Sequence, residues 1–136
     1  MDQYSRRIIG WSLSATRTTQ LTRDALGYAL KKRGYPRGII FHTDRGIEFT
    51  GFMFQSLLSQ YDFKHSVNRP GCCTDNAFIE SFYHSLKGEF IRGKVFKCVD
   101  QLRKAQCVYI NKFYNTVRLH SGINYVSPIE YGQCTV

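Results

Sequence analysis

The sequence predicts an α/β fold in a single domain, on three observations. Strand-like apolar runs alternate with stretches of helical period, in the order strand, helix, strand, helix, strand, helix. That alternation calls for right-handed crossovers between strands. Across 136 residues, a hydrophobic content of 43% and an aromatic content of 15% suit one packed core better than a disordered tail.

Arg6–Leu13 reads as the first strand, with Ile8, Ile9, Trp11 and Leu13 as its apolar content. Thr18 or Thr19 caps a helix running to about Arg33. Leu21, Ala25, Leu26, Ala29 and Leu30 share one of its faces. Lys31, Lys32 and Arg33 suit the negative end of the helix dipole, and Gly34 and Pro36 stop it. Gly38–Phe41 begins a continuous apolar run that ends at Asp44, as in a strand covered on both faces. Arg45-Gly46 signals a turn. Thr50 caps a helix with Phe54, Leu57, Leu58 and Tyr61 at i, i+3, i+4 and i+7.

Phe63–Val67 is a short strand, and Asn68–Thr74, with Pro70 and Gly71, is a loop. Asp75 caps a helix reaching about Phe90. A last long helix starts near Asp100, with Leu102, Ala105, Val108, Tyr109 and Phe113 inward. Ser127-Pro128 marks a further short element. The α/β part ends near residue 95, and a helical part fills roughly 96–136.

Net charge is +9 and the pI about 9.5. Lys and Arg in excess favour a polyanionic partner, since neutralised phosphates release counterions. A basic domain without such a partner is the alternative. No run is apolar enough to span a membrane, and MDQYSRR lacks a signal-peptide core. The five cysteines are odd in number and include no C-x-x-C pair, and adjacent Cys72 and Cys73 do not bridge each other easily. His42, His65, His84 and His120 show no zinc spacing with them. Reduced thiols, a cytoplasmic location and no structural zinc are expected.

Asp44 and Glu80 are the candidate catalytic and metal-ligating residues. Asp44 falls at the carboxyl end of a strand, where ligands of open α/β sheets collect. Glu80 falls in the first two turns of a helix, and 35 residues separate the two. Oxygen ligands of this type suit magnesium, which keeps several waters. His84 and Lys87 follow Glu80 at i+4 and i+7, so a cation stands two turns along the same face. A plain surface pair of Glu80 and His84 is the alternative. His42, Arg45, Lys64 and Arg69 cluster in sequence around the presumed site, as phosphate contacts or as a solvated basic rim.

The stretches YSRRIIGWSL (4–13), HTDRGIEFT (42–50), SVNRPGCCTDNAFIESFYHSLKGE (66–89), YINKFYNTVRLHSGINY (109–125) and SPIEY (127–131) lie in one order over nearly the whole chain. Together they resemble the retroviral-integrase-like core of OrfB-type insertion-sequence transposases. The resemblance implies a ribonuclease-H-like fold followed by C-terminal helices. It implies an Asp, Asp, Glu catalytic set with 35 residues between the last two, matched here by Asp44 and Glu80. Lys87 matches the basic residue seven positions after the Glu. The implied activity is DNA cleavage and strand transfer with two Mg2+ (or Mn2+) ions and no covalent protein intermediate.

The implied partners are transposon ends, target DNA, further copies of the chain and an upstream helix-turn-helix protein, in a bacterial cytoplasm at the nucleoid. Lys87, Arg45, Arg69, His84, Arg118 and His120 are the DNA-contact candidates. Tyr114 and Asn115, in the closing signature, would brace the core.

The family's first Asp belongs to a strand upstream of the Tyr4–Arg6 block, and Asp2 is a poor substitute for it. Three expectations follow: a truncated core that is inactive alone, weak metal binding, and an exchanged or rearranged sheet in a dimer, because Arg6–Leu13 lacks its neighbour and Ile39–Thr43 exposes an edge. The alternative is a non-catalytic DNA-binding or oligomerising remnant that interferes with intact transposase. A structure-specific nuclease is a third reading. Thr43 replaces the usual serine before the second Asp. Glu48, next to Phe49, adds charge near Asp44 and is expected to be an exposed acid rather than a spare ligand. Cys72 and Cys73 are expected to pack.

Overall fold

Thr18 opens the first helix, as its spacing predicts: its hydroxyl accepts a hydrogen bond from the Leu21 amide at 3.3 Å. The structure is a computed structural model describing residues 1–71 and 73–134, without the side chains of 73 and 74. The packing expected of Cys72 and Cys73 therefore lies outside the described residues. The helices are α1 (Thr19–Lys32), α2 (Ile47–Thr50), α3 (Phe52–Gln60), α4 (Ala77–Ser85), α5 (Val99–Val108) and α6 (Pro128–Gln133). The strands are β1 (Ile40–Thr43) and β2 (Lys64–Val67).

The chain divides into two compact units, Ile9–Ala77 and Met1–Ile8 with Phe78–Val136. In the first unit β1 and β2 pair in parallel, with Thr43 opposite Val67. Leu26 and Leu30 of α1 pack with Phe54 and Leu58 of α3 and with Phe63, and Phe41 and Phe49 lie against them. Gly10 meets α1 so closely that a Cβ there would lie 2.3 Å from the Ala25 carbonyl oxygen and 2.8 Å from the Ala29 Cβ. Only glycine fits that contact.

Four local expectations are corrected here. Arg6–Leu13 forms no ladder among the described residues. Ile8 instead gives its amide to Asn115 Oδ1 (2.9 Å), and its carbonyl accepts from Asn115 Nδ2 (3.0 Å), so side-chain bonds replace the strand's. β1 is not covered on both faces, since Ile40 is 71% exposed. Thr50 does not cap α3: the cap residue is Gly51, and residues 47–50 fold into α2. Asp75 does not cap α4 either. It lies in a 3-10 turn, Cys73–Asn76, and its carboxylate is taken by Arg69.

In the second unit α4 continues into a π-helical segment, Leu86–Ile91, and α5 into another, Tyr109–Tyr114. The expected helix ends near Phe90 are thus reached, but with a change of winding. The wider i→i+5 turn puts Tyr109 and Tyr114 on one buried side, whereas Val108 (60%) and Phe113 (40%) are exposed rather than inward. The Phe90 and Tyr109 rings stack 5.2 Å apart, and Phe82 meets Tyr114 edge-on at 4.9 Å. The stretch from residue 92 to 98, around the expected change of character at 95, carries no helix or strand and lies inside this unit. Ser127 and Glu130 close a capping box on α6. The Ile129 amide donates to the Asn115 carbonyl at 3.0 Å. Asn115, 1% exposed, therefore ties residue 8 and α6 to the end of the second π-helical segment.

Candidate functional site

Asp44 follows the last residue of β1, so the parallel pairing fixes its backbone. It is half-buried. One carboxylate oxygen, Oδ1, accepts the Gly46 amide at 2.8 Å, and the other has no hydrogen-bond partner among the described residues. Such a carboxylate is oriented yet retains ligating capacity.

A polar network surrounds it. The Thr43 hydroxyl donates to the Asp44 carbonyl (2.8 Å) and meets His65 Nε2 at 2.9 Å. Gln55 Nε2 reaches His65 Nδ1 at 3.0 Å and the Phe49 carbonyl at 2.6 Å. His42 is held by Ser66 Oγ (2.9 Å) and Asn68 Oδ1 (2.7 Å). Arg45 Nε donates to the Asn68 carbonyl at 3.0 Å. Burial, then the neighbouring His42, pushes the His65 pKa down. Gln55 and His65 escaped sequence reasoning: their one signal is position, on α3 and β2 beside Thr43, and that needs the register.

Glu48 is not the exposed acid expected. It is 7% exposed and paired with Arg17 at 2.6 Å. Burial pushes its pKa up, but its own backbone amide and Arg17 outweigh that and hold it below the ordinary value. Its carboxylate converges with that of Asp44 on Gly46. A methyl group at 46 would lie 2.6 Å from Glu48 Oε2 and 2.9 Å from Asp44 Oδ1.

Glu80 is exposed on α4 and takes no hydrogen bond or ion pair among the described residues. Other acids are engaged: Asp75 with Arg69, Glu89 with Arg118, Glu130 with Ser127. His84, on the same helix, is exposed as well. Lys87 is exposed too, but lies past the start of the π-helical segment, so the seven-residue spacing does not run along unbroken α-helix. Among the described residues no three of His, Cys, Asp and Glu gather into a metal-binding cluster.

Among the DNA-contact candidates, Lys87, His84 and Arg45 are exposed, and Arg69 is exposed but joined to Asp75. The Arg69 guanidinium holds the Asp75 carboxyl below its ordinary range. Arg118 is committed further. It donates to Glu89 Oε1 (2.7 and 2.9 Å), to Glu89 Oε2 (3.1 Å) and to Ser85 Oγ (3.1 Å). Tyr109 donates to the same Glu89 at 2.8 Å. Arg118, then the Tyr109 hydroxyl, holds the Glu89 carboxyl low against burial. His120 stacks edge-on with Tyr114 at 4.8 Å, and its buried Nε2 has no hydrogen-bond partner among the described residues. Burial and Arg118 push its pKa down. Tyr114, 3% exposed, has its pKa pushed up to about 12 by burial, as a core brace would.

Two integrase core domain models match the chain, over residues 1–73 and 61–128. The transposase InsF of insertion sequence IS3A from Escherichia coli K12 is 42% identical over 131 residues, 96% of this chain and 46% of that protein. The transposase of IS904 from Lactococcus lactis is 39% identical over 131 residues, 96% of this chain and 52% of that one. The chain thus spans about half the length of the curated relatives it matches. A chain in the cryo-EM structure of the simian T-cell lymphotropic virus intasome with PP2A regulatory subunit B56 gamma superposes with a TM-score of 0.65. It is 16% identical and covers 87% of this chain and 41% of that one. That likeness carries the fold: an α/β, ribonuclease-H-like integrase core followed by helices. The chain belongs to the integrase core domain family, and over nearly its whole length it is similar to transposases of insertion sequences.

Proposed function

We propose that this chain supplies two carboxylates, Asp44 and Glu80, to a metal-dependent centre that cleaves transposon ends and joins them to target DNA. The observation that carries the reading is the state of Asp44: half-buried at a strand end, fixed through one oxygen by Gly46, the other oxygen uncommitted. Glu80 is uncommitted on its helix. Hard oxygen donors of this kind suit Mg2+ or Mn2+. Bound as a pair, such ions supply activation of the attacking oxygen and stabilisation of the leaving one. In this reading Asp44 and Glu80 hold the cations and act neither as nucleophile nor as general base. Lys87, Arg45 and His84 orient DNA through its phosphates, and Arg69 does so in exchange with Asp75. Arg118 and His120 act mainly by holding Glu89 and Tyr114 in place.

The family set includes a third carboxylate without a match in residues 1–136, so residues 1–136 alone are proposed to bind metal weakly and to be inactive. The test is strand transfer in Mg2+ or Mn2+ by a chain extended upstream to include that Asp. Joined product is expected, falling to background in Asp44→Asn and in Glu80→Gln. A fully active Asp44→Asn protein would end the reading.

A second reading is a DNA-binding, self-associating remnant without catalysis. The exposed Ile39 (41%) and Ile40 (71%) beside a two-stranded sheet favour self-association, and the +9 charge favours DNA and a place at the nucleoid. Salt-sensitive DNA binding without joining by the extended chain would select it.

A further inference from the structure

The hydrogen bonds beside Asp44 have one consistent direction. Gln55 Nε2 lies 2.6 Å from the Phe49 carbonyl, so that atom is the amide nitrogen, because an oxygen would face another oxygen's lone pairs. The same nitrogen lies 3.0 Å from His65 Nδ1, which therefore accepts. The ring proton is then on Nε2 and points at Thr43 Oγ1, 2.9 Å away. The Thr43 hydroxyl in turn donates its hydrogen bond to the Asp44 carbonyl at 2.8 Å. Each donor meets an acceptor, from α3 through β2 to the end of β1. The lowered pKa of His65 agrees with a neutral ring.

We infer that Gln55 and His65 are positioning residues which, through Thr43, hold the Asp44 turn in its metal-ligating form. A buried histidine satisfied by whatever lies near it would account for either ring contact. It does not account for where the chain of bonds ends. Gln55 grips the Phe49 carbonyl and Thr43 grips the Asp44 carbonyl, so the network brackets the turn from 44 to 49 at both sides. Inside that bracket Gly46 gives its amide to the Asp44 carboxylate. Thr43 is 4% exposed, so water does not readily replace its bonds. Partners that orient a ligand from outside its shell commonly matter as much as this geometry suggests.

The inference rests on Asp44 being a ligand, and the test separates the two. In the 136-residue chain, 15N-edited NMR reads the His65 tautomer and the Gly46 amide shift, and Mn2+ titration reads affinity. The variants are Thr43→Val and Gln55→Glu, both near-isosteric; the second also sets an oxygen against the Phe49 carbonyl, and the dispersion of the 15N spectrum checks that each is folded. The expected wild-type ring carries its proton on Nε2. Gln55→Glu moves a proton onto Nδ1. Both variants shift the Gly46 amide and weaken Mn2+ binding by about tenfold. A wild-type proton on Nδ1, or variants with unmoved Gly46 shift and unchanged affinity, overturns the inference. If Asp44→Asn binds Mn2+ like wild type, the ligand reading falls instead. The positioning role then stands or falls on the Gly46 shift in Thr43→Val alone.

Discussion

Asp44 and Glu80 are of similar chemical type, yet the two regions hold them by opposite means. Asp44 is set by backbone: a parallel ladder ends beside it, Gly46 binds its carboxylate, and Thr43, His65 and Gln55 fix the turn. Glu80 is free at its own position, and what is fixed is the helix that carries it. One turn and more beyond Glu80, Ser85 and Glu89 are clamped by Arg118, and Phe90 stacks on Tyr109. A strand-end carboxylate is therefore sensitive to its nearest neighbours. A helix-borne one is sensitive to residues that never approach it.

The largest effect expected from this contrast is in the Glu80 region. Asn115→Ala leaves the buried amide and carbonyl of Ile8 without partners. The expected loss is about 2–6 kcal/mol, from roughly 1–3 kcal/mol per orphaned group. Urea unfolding reads it, and a loss below about 1 kcal/mol would mean that Ile8 finds other partners. Gly46→Ala comes next. Its methyl would press on two carboxylates, one of them the buried Glu48, so about 1–3 kcal/mol is expected. The more telling readout is Mn2+ affinity, which should drop further than stability does. If both regions were held alike, Asn115→Ala and Gly46→Ala would cost metal affinity in proportion to stability.

Arg118→Met tests the clamp itself. Arg118 is 25% exposed and Glu89 36%, so solvent screens the pair and about 1 kcal/mol is expected at neutral pH. The sign with pH follows from Glu89, whose folded pKa is depressed. Its stabilisation is present above the unfolded value, about 4.3, and is lost as pH falls through the folded value. The stability gap between wild type and Arg118→Met should therefore be full at pH 7 and close below about pH 4. A gap that stays constant through acid would place the clamp's contribution in packing, not charge.

How far the sequence carries differs between the regions in the same way. Thr18, the α1 stripe, the β1 end at Asp44 and the short element at Ser127-Pro128 are local matters of spacing and hydrogen bonding, and they read directly. The failures need partners far along the chain. Arg6–Leu13 has strand composition, but Ile8 is bonded by a side chain 107 residues away. Glu48 looks like an exposed acid until Arg17, 31 residues earlier, is placed on it. Arg118 is read as a DNA contact, and nothing local shows that Glu89, 29 residues earlier, also holds it. The π-helical segments leave no mark in a 3.6-residue period, and that period places Val108 and Phe113 on the wrong side.

The smallest effect expected separates cations that are free from cations that are engaged. Lys87 is exposed with no hydrogen bond or ion pair among the described residues, whereas Arg118 is bound through Nε and Nη2 by Glu89 and Ser85. Each phosphate contact contributes about 0.9 to the slope of log affinity against log salt concentration. Lys87→Ala should flatten the slope for duplex DNA by about that amount, with little change in stability. Arg118→Met should leave the slope unchanged while lowering the unfolding midpoint. Equal slopes for Lys87→Ala and wild type would move DNA off the π-helical segment that carries Lys87. A flatter slope in Arg118→Met would instead mean that DNA draws the guanidinium away from Glu89, and that the clamp on the Glu80 helix loosens when DNA binds.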